Sequence, residues 1–302
     1  MSLQVVIFSK DRPMQLHATL ASLMLHCQDL PDINVGVLYF ASSTKFAQGY
    51  QELQVEISSL PGLSWVGERD FKQDLLRLIL GDHWGGSGAP HLQVHGLRNS
   101  GRWINRFVLF LVDDTLFTRP FSLAAISSAL AGCPSALAFS LRLGMNTTFC
   151  YSRSSPQQLP RFVATRNRAL RFRWLGAQGD FGYPLEVSSS VFRVADLLPL
   201  LRILPYSNPN RLEQRLAASR VAFTLCHPDL LCFERSVAFC APLNKVQTVL
   251  PNRSGDSNGY SSDGLHSLFE QGLRIDVKAL AGFESHAAHQ EIDLPFTAAT
   301  GL

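Results

Sequence analysis

Four short apolar runs, each closed by a polar turn, restrict this chain more than any other feature. Residues 3–8, 34–40, 63–66 and 107–112 are rich in β-branched and aromatic side chains and show little alternation. That is the pattern of strands covered on both faces. Between the runs, Pro13 opens a stretch with Leu16, Leu20 and Leu23 at helical spacing. Residues 45–53 read as a second helix, and a third carries Phe71, Leu75, Leu76 and Leu78. Strands alternating with helices predict an α/β fold with a mostly parallel sheet flanked by helices. In such sheets ligands gather beyond the carboxyl ends of the strands. Polar groups stand at that end of every run: Ser9, Lys10, Asp11 and Arg12 after the first, residues 41–43 after the second, Glu68 after the third, and Asp113 with Asp114 after the fourth.

Beyond Asp114 the pattern is less regular. Residues 123–130 read as a helix, 136–141 as a strand, 156–173 as a loop plus a basic helix, and 191–193 as a strand. Residues 197–204 and 211–219 read as two further helices, and 262–272 as a last one ended by Gly272. The glycine-rich stretch 81–102 and the Asn/Ser/Gly-rich stretch 252–260 read as loops. A chain of 302 residues permits one large core. The organisation expected is a single domain over 1–302, with halves 1–120 and 121–302.

With 46% hydrophobic and 17% charged residues the chain is a globular one, and a net charge of +3 points away from nucleic acid as a partner. The six cysteines have no C-x-x-C spacing. Buried thiols are therefore expected rather than zinc ligands or disulfides. No apolar run reaches the roughly 18–20 residues of a membrane helix. The best stretch, 194–204, is interrupted by Asp196, Pro199 and Arg202. The first residues enter a strand with no leader-like segment before it, so a cytoplasmic location is expected.

Two adjacent carboxylates at the tip of an apolar strand repel each other unless something neutralises them. A divalent cation does so, since one or two carboxylates completed by substrate phosphates and water are the usual ligands of Mg²⁺, and Mn²⁺ takes similar ones. Solvated turn residues or a helix N-cap are the alternative, and spacing alone leaves both open. The run Val5-Val6-Ile7-Phe8-Ser9-Lys10-Asp11-Arg12-Pro13, with its Leu-rich helix, resembles the opening of family 2-type GT-A glycosyltransferases. Phe110-Leu111-Val112-Asp113-Asp114-Thr115 resembles that group's DxD segment, which holds a divalent metal against the diphosphate of a nucleotide sugar. The likeness covers the first 120 or so residues. It departs in having Asp-Asp-Thr for Asp-x-Asp, and no acid after the second strand, where Glu68 or Asp70 would take over nucleotide contact.

The resemblance implies a nucleotide-sugar-binding half over 1–120 and an acceptor-binding, catalytic half over 121–302. It implies a glycosyltransferase using Mn²⁺ or Mg²⁺, with a nucleotide-diphosphate sugar as donor and a glycan or glycolipid hydroxyl as acceptor. Asp113 and Asp114 would bind metal, Asp113 would also meet the diphosphate, and Ser9, Lys10, Asp11, Arg12 and Glu68 would hold the nucleotide. The base that takes the acceptor proton is expected in an acidic turn or helix start after the metal motif, where Glu213, Asp180 and Glu186 compete. Glu213 also reads as an ordinary acid near a helix start. His289, close to the C-terminus, would complete the metal sphere, or is a surface histidine. The arginines at 166, 168, 171 and 173 read as a solvated helix face, and Trp103 and Trp174 as packing residues. Peripheral membrane contact stays open for a lipid-linked acceptor. Two other functions share the scaffold: a non-catalytic nucleotide- or sugar-binding protein, and a nucleotidyltransferase, which needs a glycine-rich first turn that is missing here.

Overall fold

The strands fall where the apolar runs place them. The structure, a computed structural model, describes residues 2–81, 106–165, 168–244 and 260–299. The first half runs β1 (Leu3–Lys10), α1 (Pro13–His26), β2 (Asn34–Phe40), α2 (Thr44–Glu56), β3 (Leu63–Gly67), α3 (Phe71–Leu80), β4 (Phe107–Val112) and β5 (Thr115–Phe117). The chain continues with α4 (Leu123–Ala131), β6 (Ala136–Ser140), β7 (Phe149–Cys150), β8 (Ser155–Pro156), β9 (Val163–Ala164), β10 (Leu170–Arg173) and β11 (Ser190–Arg193). It ends with α5 (Val194–Ile203), α6 (Pro209–Ala218), β12 (Asp229–Cys232), β13 (Ala238–Cys240), α7 (Ser262–Glu270), β14 (Leu273–Ile275) and β15 (Phe296–Ala298).

Nine strands form one sheet in the order β3-β2-β1-β4-β11-β6-β12-β10-β9. The first four pair in parallel, with Val5 between Val35 and Leu109. β11 opposes both β4 and β6, β12 runs with β6, and β10 opposes both β12 and β9. Only β11 and β10 are therefore reversed among the nine, and the sheet is mostly parallel. Because side chains alternate along a strand, β1 feeds two cores. Val5 and Ile7 pack with Leu16 and Leu20 of α1, Leu53 of α2, Ile126 of α4 and Phe269 of α7. Val6 and Phe8 pack on the other face with Leu75 of α3, Leu197 of α5 and Leu216 of α6. The continuous apolar runs are thus explained by helices on both sides.

One expected element is different. The stretch 156–173 holds no helix among its described residues; β9 and β10 form an antiparallel hairpin at the edge of the sheet. Phe172 is buried while Arg173 is exposed and Arg171 half-buried, a period of two that the arginine count concealed. Arg168 adopts φ +57° within the reversal. The loop expected at 81–102 lies outside the described residues apart from Gly81, which ends α3 at φ +60°, and that at 252–260 lies outside them apart from Tyr260. All six cysteines are free thiols, four of them buried. Among the described residues no helix is long and apolar enough to cross a membrane.

Candidate functional site

The carboxyl ends of β1 and β4 build one wall of the site. Asp113 follows β4 directly, and its amide donates to the Phe8 carbonyl of β1 at 3.0 Å. Its carbonyl accepts from Thr19 Oγ1 on α1 at 2.9 Å. The carboxylate is buried and filled with donors. Oδ2 accepts from Ser9 Oγ at 2.9 Å and from the Lys10 amide at 3.1 Å, and Oδ1 accepts from Arg12 Nη1 at 2.9 Å. Since the Ser9 proton goes to Asp113, the Tyr50 hydroxyl 2.7 Å away donates to Ser9, and itself accepts from the Arg12 amide at 3.2 Å. Asp11 is turned to φ +55°, a left-handed conformation that Asp tolerates. This is what swings the chain from β1 into α1. Its Oδ1 accepts from the Ser42 amide at 2.7 Å, tying this turn to the one after β2.

Asp114 is placed differently. Its Oδ2 lies 3.6 Å from Arg12 Nη1. Its Oδ1 is buried without a hydrogen-bond partner among the described residues. Burial pushes this carboxyl up to about 6, with Arg12 opposing the rise and Asp113 adding to it. Arg12 is the cation of the pair. Burial works against its charge, but Asp113 and Asp114 together raise its pKa, and Nε donates to Asn244 Oδ1 at 2.8 Å while Nη2 bonds the Asn244 carbonyl.

The second half contributes a buried arginine and three carboxylates. Arg142, two residues beyond β6, has Nη2 3.0 Å from Glu186 Oε2 and Nη1 3.0 Å from His289 Nε2. Glu186 also accepts from the Ser188 and Ser189 amides and from the Ser189 and Ser190 hydroxyls. Asp180 sits in a 3₁₀ turn (Gly179–Gly182), where it accepts from Gln157 Nε2 at 3.1 Å. Glu213 lies on α6 and accepts from the Val187 amide at 2.9 Å and the Tyr183 hydroxyl at 3.2 Å. Burial raises the Asp180 and Glu213 carboxyls, and Arg142 opposes the rise in both. His289 is driven down to about 3 by burial and by Arg142, so its imidazole is neutral and Nε2 accepts from the guanidinium.

These groups share a cavity of about 790 Å³, a size suited to a small-molecule ligand. Of the residues singled out in the sequence, Ser9, Lys10, Arg12, Glu68, Asp113, Asp114, Asp180, Glu186, Glu213 and His289 line it. Asp11 does not, because its side chain is committed to the Ser42 amide. Asp70 is the N-cap of α3, accepting from the Gln73 amide, and the carboxyl of Glu68 is raised by burial and by Asp74, with Lys10 opposing. Trp174 is buried and donates to the His227 carbonyl, while Trp103 and Arg166 lie outside the described residues. Sequence reasoning missed Arg142, Tyr50, Tyr183 and Asn244. Arg142 was findable, since it follows a strand-like run just as the aspartates do. The other three carry no such signal.

The ligand set expected for a metal is therefore gathered in one cavity but partnered by protein cations. Both Asp113 oxygens accept protein donors, and His289 Nε2 is taken by Arg142. Among the described residues no group of three or more His, Cys, Asp or Glu side chains is placed to hold a metal ion. A site built from three or more protein ligands for Mn²⁺ or Mg²⁺ is therefore not assembled among the described residues, and Asp114 Oδ1 is the buried oxygen of the pair without a hydrogen-bond partner among them.

No family model matches the chain. Over 296 residues, 88% of this chain, the sequence is 25% identical to the bifunctional glycosyltransferase PgtA of Dictyostelium discoideum. The chain is thus similar to part of a glycosyltransferase. Its α/β sheet is mostly parallel with helices on both faces. It spans 35% of the length of the Dictyostelium protein. Among solved structures, S. aureus TarS 1–349 in complex with UDP has a TM-score of 0.47 and 14% identity, covering 80% of this chain and 61% of that one. Mannosyltransferase PcManGT from Pyrobaculum calidifontis, in complex with GDP-Man and Mn²⁺, has a TM-score of 0.39 and 13% identity, covering 77% of this chain and 54% of that one. Likenesses this distant carry no weight on the chemistry of this site.

Proposed function

We propose that the chain transfers a glycosyl group from a nucleotide-diphosphate sugar to an acceptor hydroxyl on a glycan or glycolipid. One observation carries this reading: a single cavity is lined both by the polar turns after β1, β3 and β4 and by the carboxylates Asp180, Glu186 and Glu213 of the second half. The first group supplies a donor end, with Lys10 and Arg12 as positive charge for phosphates. The second supplies a base. Glu213 suits that role best, because it accepts one hydrogen bond on each oxygen and keeps lone pairs free, whereas Glu186 is filled by Arg142 and four serine donors. Its raised carboxyl also brings proton affinity closer to neutral pH, as a general base requires. In a direct displacement the acceptor oxygen bonds the anomeric carbon as the bond to the diphosphate breaks. The bonding electrons leave with the phosphate oxygen, and the hydroxyl proton passes to Glu213.

No step is routed through a metal, since the described residues assemble no set of three protein ligands for one. A thermal-shift screen of UDP- and GDP-sugars, with and without Mn²⁺, tests the donor half of the reading. Glu213→Gln tests the other half: sugar transfer falls by roughly 10²–10⁴-fold while donor binding is kept. A chain that no nucleotide sugar stabilises, or a Glu213→Gln variant with full turnover, refutes it. Release of free sugar by the wild type separates an enzyme from a binding protein on the same scaffold.

A further inference from the structure

The aspartate pair carries two negative charges and already has a cation. Three of its four carboxylate oxygens face donors: Asp113 Oδ1 and Asp114 Oδ2 face Arg12 Nη1, and Asp113 Oδ2 takes Ser9 Oγ and the Lys10 amide. The fourth, Asp114 Oδ1, is buried without a hydrogen-bond partner among the described residues. Asn244 takes Arg12 Nε and Nη2, and the Arg12 backbone is fixed by Tyr50 and by the first turn of α1. Of the five N–H donors of a guanidinium, three are engaged in these bonds and a fourth, on Nη1, faces Asp114 Oδ2, which leaves one on Nη2 for a ligand in the cavity. Asn244 Nδ2, buried and without a partner among the described residues, adds another donor beside it.

We infer that Arg12 is the resident counter-ion of Asp113 and Asp114 and takes the place of a divalent cation at the donor's diphosphate. The inference rests on the glycosyltransferase reading for its ligand but not for its first consequence. A divalent ion entering at the pair meets a fixed positive charge and finds both Asp113 oxygens already accepting protein donors, so the protein without nucleotide does not take it up. A diphosphate meets the spare Nη2 hydrogen of the same guanidinium. Phosphate recognition by a planar, always-charged group suits this geometry.

The test uses the full chain without nucleotide. Free Mn²⁺ is followed by electron paramagnetic resonance while it is titrated into wild type, Asp114→Asn, Arg12→Lys and Arg12→Met. Wild type and Arg12→Lys are expected to take up no more Mn²⁺ than Asp114→Asn, and Arg12→Met to bind it about tenfold or more tightly than wild type. Wild-type uptake that is lost in Asp114→Asn, or uptake equal to that of Arg12→Met, overturns the assignment. Should Arg12→Met fail to fold, wild type against Asp114→Asn still decides. A second arm measures UDP and GDP binding by calorimetry in Mn²⁺ and in EDTA. Affinity unchanged by chelation supports Arg12 in this role, and a loss of about tenfold or more in EDTA overturns it. Absence of UDP and GDP binding in both buffers sinks the glycosyltransferase reading instead, and leaves the Mn²⁺ titration to decide the role of Arg12.

Discussion

Arg142→Met removes one partner of a buried ion pair, and the structure sets the size of the effect. The side chains of Arg142 and Glu186 are 6% and 8% exposed, with 3.0 Å between Nη2 and Oε2. Breaking such a pair from one side costs about 3–5 kcal/mol, because the other charge stays buried. Glu186 keeps two amide and two hydroxyl donors, which places the expected loss near the lower end, about 3 kcal/mol. An unfolding entropy of about 2.1 cal/mol/K per residue gives about 0.6 kcal/mol/K for 302 residues, so the thermal midpoint falls by about 5 °C. Circular dichroism melts at neutral pH measure it, with Glu186→Gln and the double variant closing a cycle. A midpoint within about 1 °C of wild type, together with a coupling below about 0.5 kcal/mol between the two sites, refutes the reasoning.

Two further expectations concern pH. The Asp114 carboxyl, raised to about 6 chiefly by burial, contributes stability below the ordinary carboxylate range that is lost as pH rises through about 6. Asp114→Asn therefore melts above wild type at pH about 7 and loses that advantage near pH 4. Glu56 behaves oppositely. Burial tends to raise it, but His17 and the paired Arg274 outweigh that and bring it down to about 2. Its contribution is present above the ordinary Glu range and disappears as pH falls through about 2, so Glu56→Gln melts below wild type at neutral pH and the gap closes in acid. A constant gap from neutral to acid pH in either variant contradicts the assignment.

The end of the cavity built from β1 and β4 was legible because its residues are contiguous with strands. Apolar runs of the length of β1 and β4 leave few alternatives to a two-sided strand, and the residue after such a strand must lie at the sheet edge. The same rule, applied to the run ending at Ser140, reaches Arg142. It was obscured by the single positive charge, which looked ordinary beside an aspartate pair. The hairpin of β9 and β10 was misjudged for a different reason. Four arginines in eight residues suggest a solvated helix, yet the buried Phe172 between Arg171 and Arg173 is a strand signal only when a neighbouring strand exists to receive it. Long-range partners were beyond reach altogether. Nothing in the sequence near Asn244 indicates that its carbonyl and side chain would clasp a guanidinium 232 positions earlier.

β11 lies between β4 and β6 and hydrogen-bonds to both, so the aspartates at 113 and 114 and the loop carrying Glu186 hang from adjoining rungs of one ladder. A seam of that kind cannot open like a clamshell without tearing backbone bonds from the middle of the molecule. Whatever occupies the two ends of the cavity is held at a separation set when the chain folds. Tolerance for larger or smaller guests has to come from the side chains that furnish the walls, and evolution of a new preference would proceed by refurnishing them.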